Sequence, residues 1–258
     1  TALLLLGGLS AVVFDFGTGS PVASVIHSHA LRLLLTGSLF ASCGALVTIS
    51  PLGRRSGAHL NPAVSLAFWC QRHLKPLDFL GYIVAQCVGA TAGAFAVRTI
   101  WGARAWSVKI GLTQPGPGTT PVTAGCIEAA MTGGLVLVIF GFVSSKKTAH
   151  WTPLAVAVLI AVLVWQVAPY TGTSLNPARS LGPAVAARDF HSYVVYVAGP
   201  LAGALAAVGL WSLVPLRTLT AKLYHDERYQ SIFATAFEVR HRSASVSSRS
   251  PASRRLVR

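Results

Sequence analysis

The sequence predicts an all-α membrane protein: six transmembrane helices and two re-entrant half-helices, related as an inverted repeat. Three observations predict it. The 258 residues are 53% hydrophobic and 11% charged, with mean hydropathy +0.59, against about 25% charged in a soluble domain. Apolar runs near the ~20-residue membrane-spanning length recur along the chain. A ten-residue pattern, Gly-x-x-Leu-Asn-Pro-Ala-x-Ser-Leu, occurs at 57–66 and again at 172–181.

The twin pattern organises the rest. Pro62 and Pro177 suit a first helical position, because the N–H that proline lacks would be unpaired there. Asn61 and Asn176 stand where a side-chain amide caps the exposed N–H groups behind it. Each copy, completed by Ala63 or Ala178, is too short to span a membrane yet sits among segments that do. Each is therefore expected to open a short helix at mid-membrane depth, its positive end inward. Two such ends meeting would make a pore with a positive centre.

The elements follow in order. Residues 1–16 form the first span, 30–49 the second, and Ser50–Arg55 a turn carrying two positive charges. Residues 61–70 form the first half-helix and 77–97 the third span. Residues 98–122, with Gln-Pro-Gly-Pro-Gly at 114–118, read as a connector. The fourth span covers 123–143 and the fifth 151–168; the second half-helix lies within 170–187, and the sixth span covers 192–214. Gly89–Ala94 and Gly199–Ala204 match in their small residues, which should let helices approach closely. The repeats are thus about 1–97 and 123–214 within a channel domain of 1–214. Three spans per half make the repeat inverted, which places a site at the midplane. Residues 215–258 read as a basic Ser/Arg-rich cytoplasmic tail, partly disordered.

The formal charge is +14, from 21 Lys+Arg against 7 Asp+Glu. Its placement argues against nucleic acid: nine basic residues follow Val214, and most others lie in short loops. Arg54, Arg55, Arg72, Lys75, Lys146 and Lys147 share one side with the tail, which makes that side, and both termini, cytoplasmic. Cys43, Cys70, Cys87 and Cys126 sit in apolar segments without metal-ligand spacing, and no catalytic cluster supports an enzyme or a cofactor.

With two Asn-Pro-Ala motifs, six spans and the inverted repeat in hand, the chain resembles the aquaporin, or major intrinsic protein, family over residues 1–214. The resemblance implies a passive pore for water, with or without small neutral solutes. Arg179, just after the second motif, falls at the family's selectivity-filter arginine. The other filter positions fall at Val164, Thr173 and, in span two, within 37–39, taken at Ser38. Glu128, four residues before Thr132, matches a glutamate that holds the re-entrant loops. Thr1 matches Thr132, so the equivalent glutamate would precede Thr1, and the first span is expected to be clipped. Ser180 and Ala184 stand where glycerol-conducting relatives carry Asp and a basic residue. That favours the bacterial-type aquaporin branch, whereas the small residues at the span-five and span-two filter positions point to a wider constriction. A homotetramer in the cell membrane, plasma or inner, is also implied.

His59, inside the first motif, faces the cytoplasmic vestibule; it reads either as a neutral imidazole bonding local backbone and supporting the loop, or as a gate. Three other functions stand beside the water pore: a glycerol, urea or ammonia facilitator, a coupled transporter, and a non-conducting structural protein. A transporter would need midplane carboxylates, and Glu128 is the one candidate.

Overall fold

The computed structural model describes residues 1–224. Among the described residues, eleven α-helices run in the order α1 (Ala2–Phe16), α2 (Pro21–Val25), α3 (His29–Ile49), α4 (Pro51–Ser56), α5 (Pro62–Cys70), α6 (Pro76–Trp101), α7 (Ala103–Ser107), α8 (Pro121–Val143), α9 (Thr152–Thr171), α10 (Pro177–Ala187) and α11 (Val195–Ser212). Of these, α3, α6, α8, α9 with the preceding 3-10 turn, and α11 are long and apolar enough to cross a membrane. The apolar α1 has 15 residues, about 22 Å at 1.5 Å per residue, against a hydrocarbon core of about 30 Å.

Proline and short hydroxyl side chains set many of the starts. Pro21, Pro51, Pro76 and Pro121 each open a helix. Ser20, Ser28, Ser50 and Thr120 accept a backbone N–H from the first turn behind them. The same chemistry corrects the expected turn at 50–55. Ser50 caps Gly53, Pro51 takes the first helical position, and a six-residue helix forms. Gly53 is required there, because a Cβ would lie 2.2 Å from the Val47 carbonyl.

Small residues bring the spans together. A Cβ on Gly93 would lie 2.7 Å from the Ala2 carbonyl, and one on Gly203 2.0 Å from that of Ala129. The matched residues of α6 and α11 thus seat α1 and α8 respectively. Gly37 does the same between α3 and α9, facing Val164 and Ala161. The two half-helices cross over: α5, from the first half, packs on α11, and α10, from the second, packs on α6. Gly182 of α10 meets the Ala90 carbonyl of α6 at a would-be 2.5 Å. This exchange locks the halves around a shared centre.

Two segments expected to be plain connections are structured. Residues 98–122 carry α7 and a 3-10 turn at Lys109–Gly111, and Gly116 N–H donates to the Tyr170 carbonyl at 2.8 Å. The described part of the expected tail does not stand apart: Leu219 N–H donates to Val143 O, and Ala221, Lys222 and Leu223 are buried. The Ser/Arg-rich end at 240–258 lies outside the described residues.

Candidate functional site: the cavity between the two half-helices

Each Asn-Pro-Ala motif builds a helix start in the same way. Asn61 Oδ1 accepts from Ala63 N–H at 2.8 Å, and Asn176 Oδ1 accepts from Ala178 and Arg179 N–H at 3.0 and 3.2 Å. Pro62 and Pro177 occupy the first helical positions. The loops before them repeat their backbone residue for residue. Gly57, Ala58 and Leu60 have φ of 78°, 53° and 53°, and Gly172, Thr173 and Leu175 have 72°, 48° and 54°. Left-handed conformation at a non-glycine residue costs on the order of 1 kcal/mol. Four such residues therefore persist only because their surroundings hold them.

The two loops hold each other. Asn61 Nδ2 donates to Leu175 O and Asn176 Nδ2 donates to Leu60 O, both at 2.8 Å. Each carboxamide thus has its oxygen on its own helix and one N–H on the opposite loop. One N–H remains on each, and both residues line a cavity of ≈ 320 Å³.

Glu128 fixes the second loop from behind. Fully buried, its two oxygens accept from Ser174 N–H at 2.9 Å and Leu175 N–H at 2.7 Å. Tyr196, also fully buried, donates to Thr171 O at 2.8 Å just before the loop. Ser180 joins Ser174 and Thr113 through hydroxyl contacts of 2.6 and 2.7 Å.

Arg179 lines the cavity, 7% exposed, with Nη1 donating to Gly111 O at 2.7 Å. Gly111 lies in the 3-10 turn of the connector with φ of 71°, packed on Leu9. The guanidinium also sits 5.5 Å from the Phe40 ring centre. Val164 and Thr173 line the same cavity. Ser38 does not: its hydroxyl donates to Leu34 O along α3. The face of α3 that meets the cavity runs through Leu33, Thr36, Phe40, Gly44 and Thr48, at helical spacing. Phe40, and not Ser38, is therefore the α3 residue in the cavity wall beside Arg179. The helical spacing of that face is legible in the sequence, although which face meets the cavity is not. Gly111 carried no such signal, because a backbone carbonyl acts there and not a side chain.

At the opposite end, His59 is stacked between Phe68 and Tyr82, with ring centres 4.8 and 4.7 Å away. Its Nε2 meets Ala221 O at 2.7 Å and its Nδ1 meets Ser65 Oγ at 3.1 Å. A carbonyl only accepts, so Nε2 carries the hydrogen and Nδ1 accepts from Ser65. The partner of His59 is thus remote backbone, not the local backbone expected from sequence. Nearby, His73 Nε2 meets Thr218 Oγ1 at 2.6 Å. Burial pushes the His73 imidazole below its ordinary pKa, and the Thr218 hydrogen bond opposes the shift.

Comparison with known proteins gives a consistent set of relatives. A family profile described as Major intrinsic protein matches residues 5–211. Aquaporin NIP1-1 of Oryza sativa subsp. japonica is 35% identical over 68% of this chain and 62% of its own length. A probable aquaporin, AqpM, of Archaeoglobus fulgidus is 36% identical over 68% of this chain and 74% of its own. The chain spans 62–67% of the length of the plant relatives it matches. The solved aquaglyceroporin of Plasmodium falciparum shares the fold, with a TM-score of 0.67 at 21% identity, covering 83% of this chain and 91% of that one.

Proposed function

This chain belongs to the major intrinsic protein family, and from that premise we propose that it is a passive membrane pore conducting water. The reciprocal bonds of Asn61 and Asn176 carry this reading. They leave one amide N–H on each side of the cavity centre. A transiting water accepts from both and is oriented, its hydrogens turned away along the pore in both directions. A chain of waters passing a proton is broken at that point.

Ions meet a second obstacle. Each half-helix start acts as about half a positive charge. At ~4 Å and an effective dielectric near 20, a unit cation is repelled by about 2 kcal/mol per helix. Arg179 adds a full charge at the constriction it forms with Phe40, Val164 and Thr173. Lost hydration adds several kcal/mol for an ion, whereas water exchanges one set of hydrogen bonds for another. The left-handed residues Ala58, Leu60, Thr173 and Leu175 line the cavity, and irregular backbone at membrane depth is tolerated where it lines water.

Small neutral solutes are a second reading, favoured by the apolar residues that share the cavity wall with Arg179. Val164, Leu33 and Leu112 line the cavity beside Phe40, a surface suited to the carbon edge of a short polyol. With the pore reading we propose a multi-pass protein of the cell membrane, its Gly57 end cytoplasmic by the placement of basic residues and its assembly a homotetramer by family resemblance.

Stopped-flow light scattering on proteoliposomes tests both. The expected result is osmotic permeability well above empty liposomes. Permeability equal to empty liposomes, with no uptake of glycerol or urea, overturns the pore.

A further inference from the structure

Residues 218–224, beyond the last membrane-crossing helix, lie across the Gly57 end of the cavity and are tied down at several points. Thr218 Oγ1 meets His73, Leu219 N–H donates to Val143 O, Ala221 O accepts from His59 and Leu223 N–H donates to Gly57 O at 3.0 Å. The Arg54 guanidinium lies 5.0 Å from the Tyr224 ring centre. Two of these anchors, Gly57 and His59, belong to the loop that ends in Asn61. Gly57 is needed for the approach, since its φ is 78° and a Cβ would lie 2.9 Å from Ala221 O. The strap is therefore held by the pore's own signature loop.

One of its side chains reaches the lumen. Leu223 is 5% exposed and lines the cavity together with Ala58, His59 and Leu60. An apolar side chain in a narrow lumen offers a passing water no hydrogen bond, and hydrophobic constrictions limit flow in this way. Tethering matters to His59 as well. With the strap seated, its ring hydrogen goes to Ala221 O; with the strap lifted, a buried N–H loses its protein partner. Strap and loop thus stabilise one another.

We propose that Thr218–Leu223 is a tethered strap that sets Leu223 into the pore wall, where it forms a second constriction at the Gly57 end, separate from the one at Arg179. The proposal rests on the pore reading above. It assigns a flux-limiting residue to a part of the chain whose composition reads as tail.

The test uses the full chain in proteoliposomes, with Leu223→Trp and Leu223→Ala beside the wild type. Narrowing with Trp is expected to cut osmotic permeability by about tenfold, which corresponds to 1.36 kcal/mol of added barrier. Ala is expected to raise permeability, or to admit urea or glycerol if the wild type excludes it, while proton exclusion stays unchanged because Arg179 and the Asn pair are untouched. Wild-type flux from both variants overturns the proposal. A transport-independent readout is the reaction of Leu223→Cys with a water-soluble thiol reagent, the four native cysteines being replaced by Ala. A seated strap gives labelling at least about tenfold slower than an unfolded-chain thiol, since a side chain 5% exposed is reached only along the narrow lumen or when the strap opens. Labelling as fast as that unfolded thiol also overturns the proposal. If the wild type conducts nothing but Leu223→Ala does, the strap closes the pore and the proposal stands in its strongest form. If neither conducts, the pore reading and the constriction fall together, whereas slow labelling with unchanged flux removes the constriction alone.

Discussion

Asn61 and Asn176 each donate one amide hydrogen to the carbonyl that immediately precedes the other, Leu175 O and Leu60 O, at the same distance of 2.8 Å. The pair ties two half-helices from opposite halves of the chain into one unit. Replacing Asn176 with Ala removes a helix cap and one cross-loop bond together. We expect a loss of about 1–3 kcal/mol from the cap and the newly unpaired Leu60 carbonyl. A lower thermal midpoint in detergent, together with increased proton leak in proteoliposomes, checks it; an unchanged midpoint contradicts the bonding.

Glu128 accepts two consecutive backbone N–H groups, Ser174 and Leu175, with separate oxygens. Glu128→Gln keeps the size and exchanges one acceptor for a donor facing an N–H. Hydrogen bonds to a charged group contribute about 1.5–3 kcal/mol each. The expected outcome is reduced folded yield and a large fall in osmotic permeability. Wild-type levels of both would show that the loop holds itself.

The Arg179 guanidinium lies over the Phe40 ring in the cavity wall, 5.5 Å from guanidinium carbon to ring centre. Arg179→Val is expected to raise proton and solute permeability, measured with a pH-sensitive dye and by glycerol uptake. Phe40→Ala is expected to widen the pore and raise solute uptake with a smaller effect on protons, because the charge remains. Ser38→Ala should leave both unchanged, since Ser38 bonds within its own helix. An effect at Ser38 equal to that at Phe40 would return the filter position to Ser38.

Gly203 lies against the Ala129 backbone, where a Cβ would come within 2.0 Å of a carbonyl oxygen. Gly203→Ala must push α11 from α8, at a cost of about 1–3 kcal/mol. Gly209, in the same helix, has nothing within 4 Å of its would-be Cβ. Gly209→Ala is expected to be neutral or to stabilise by up to about 1 kcal/mol. Thermal melts of the two variants should move in opposite directions or differ sharply; equal shifts would contradict the close α8–α11 approach.

The sequence by itself determined the five long apolar helices, the half-helix starts and the small-residue contacts. Those features are local: hydropathy over about twenty residues, an Asn-Pro pair, glycines at helical spacing. It also marked Arg179, Val164, Thr173 and Glu128, because each stands at a fixed distance along the chain from a recognisable motif. Tertiary structure decided what depends on orientation or on backbone from afar. Ser38 and Phe40 are two residues apart on α3, and only the packing of Gly37 against α9 settles which one turns to the cavity. Gly111 serves Arg179 through a carbonyl, which every residue type possesses, so composition could not single it out. Residues 218–223 look like tail because their hydrogen bonds are made to Val143, Gly57, His59 and His73, partners that only folding brings within reach.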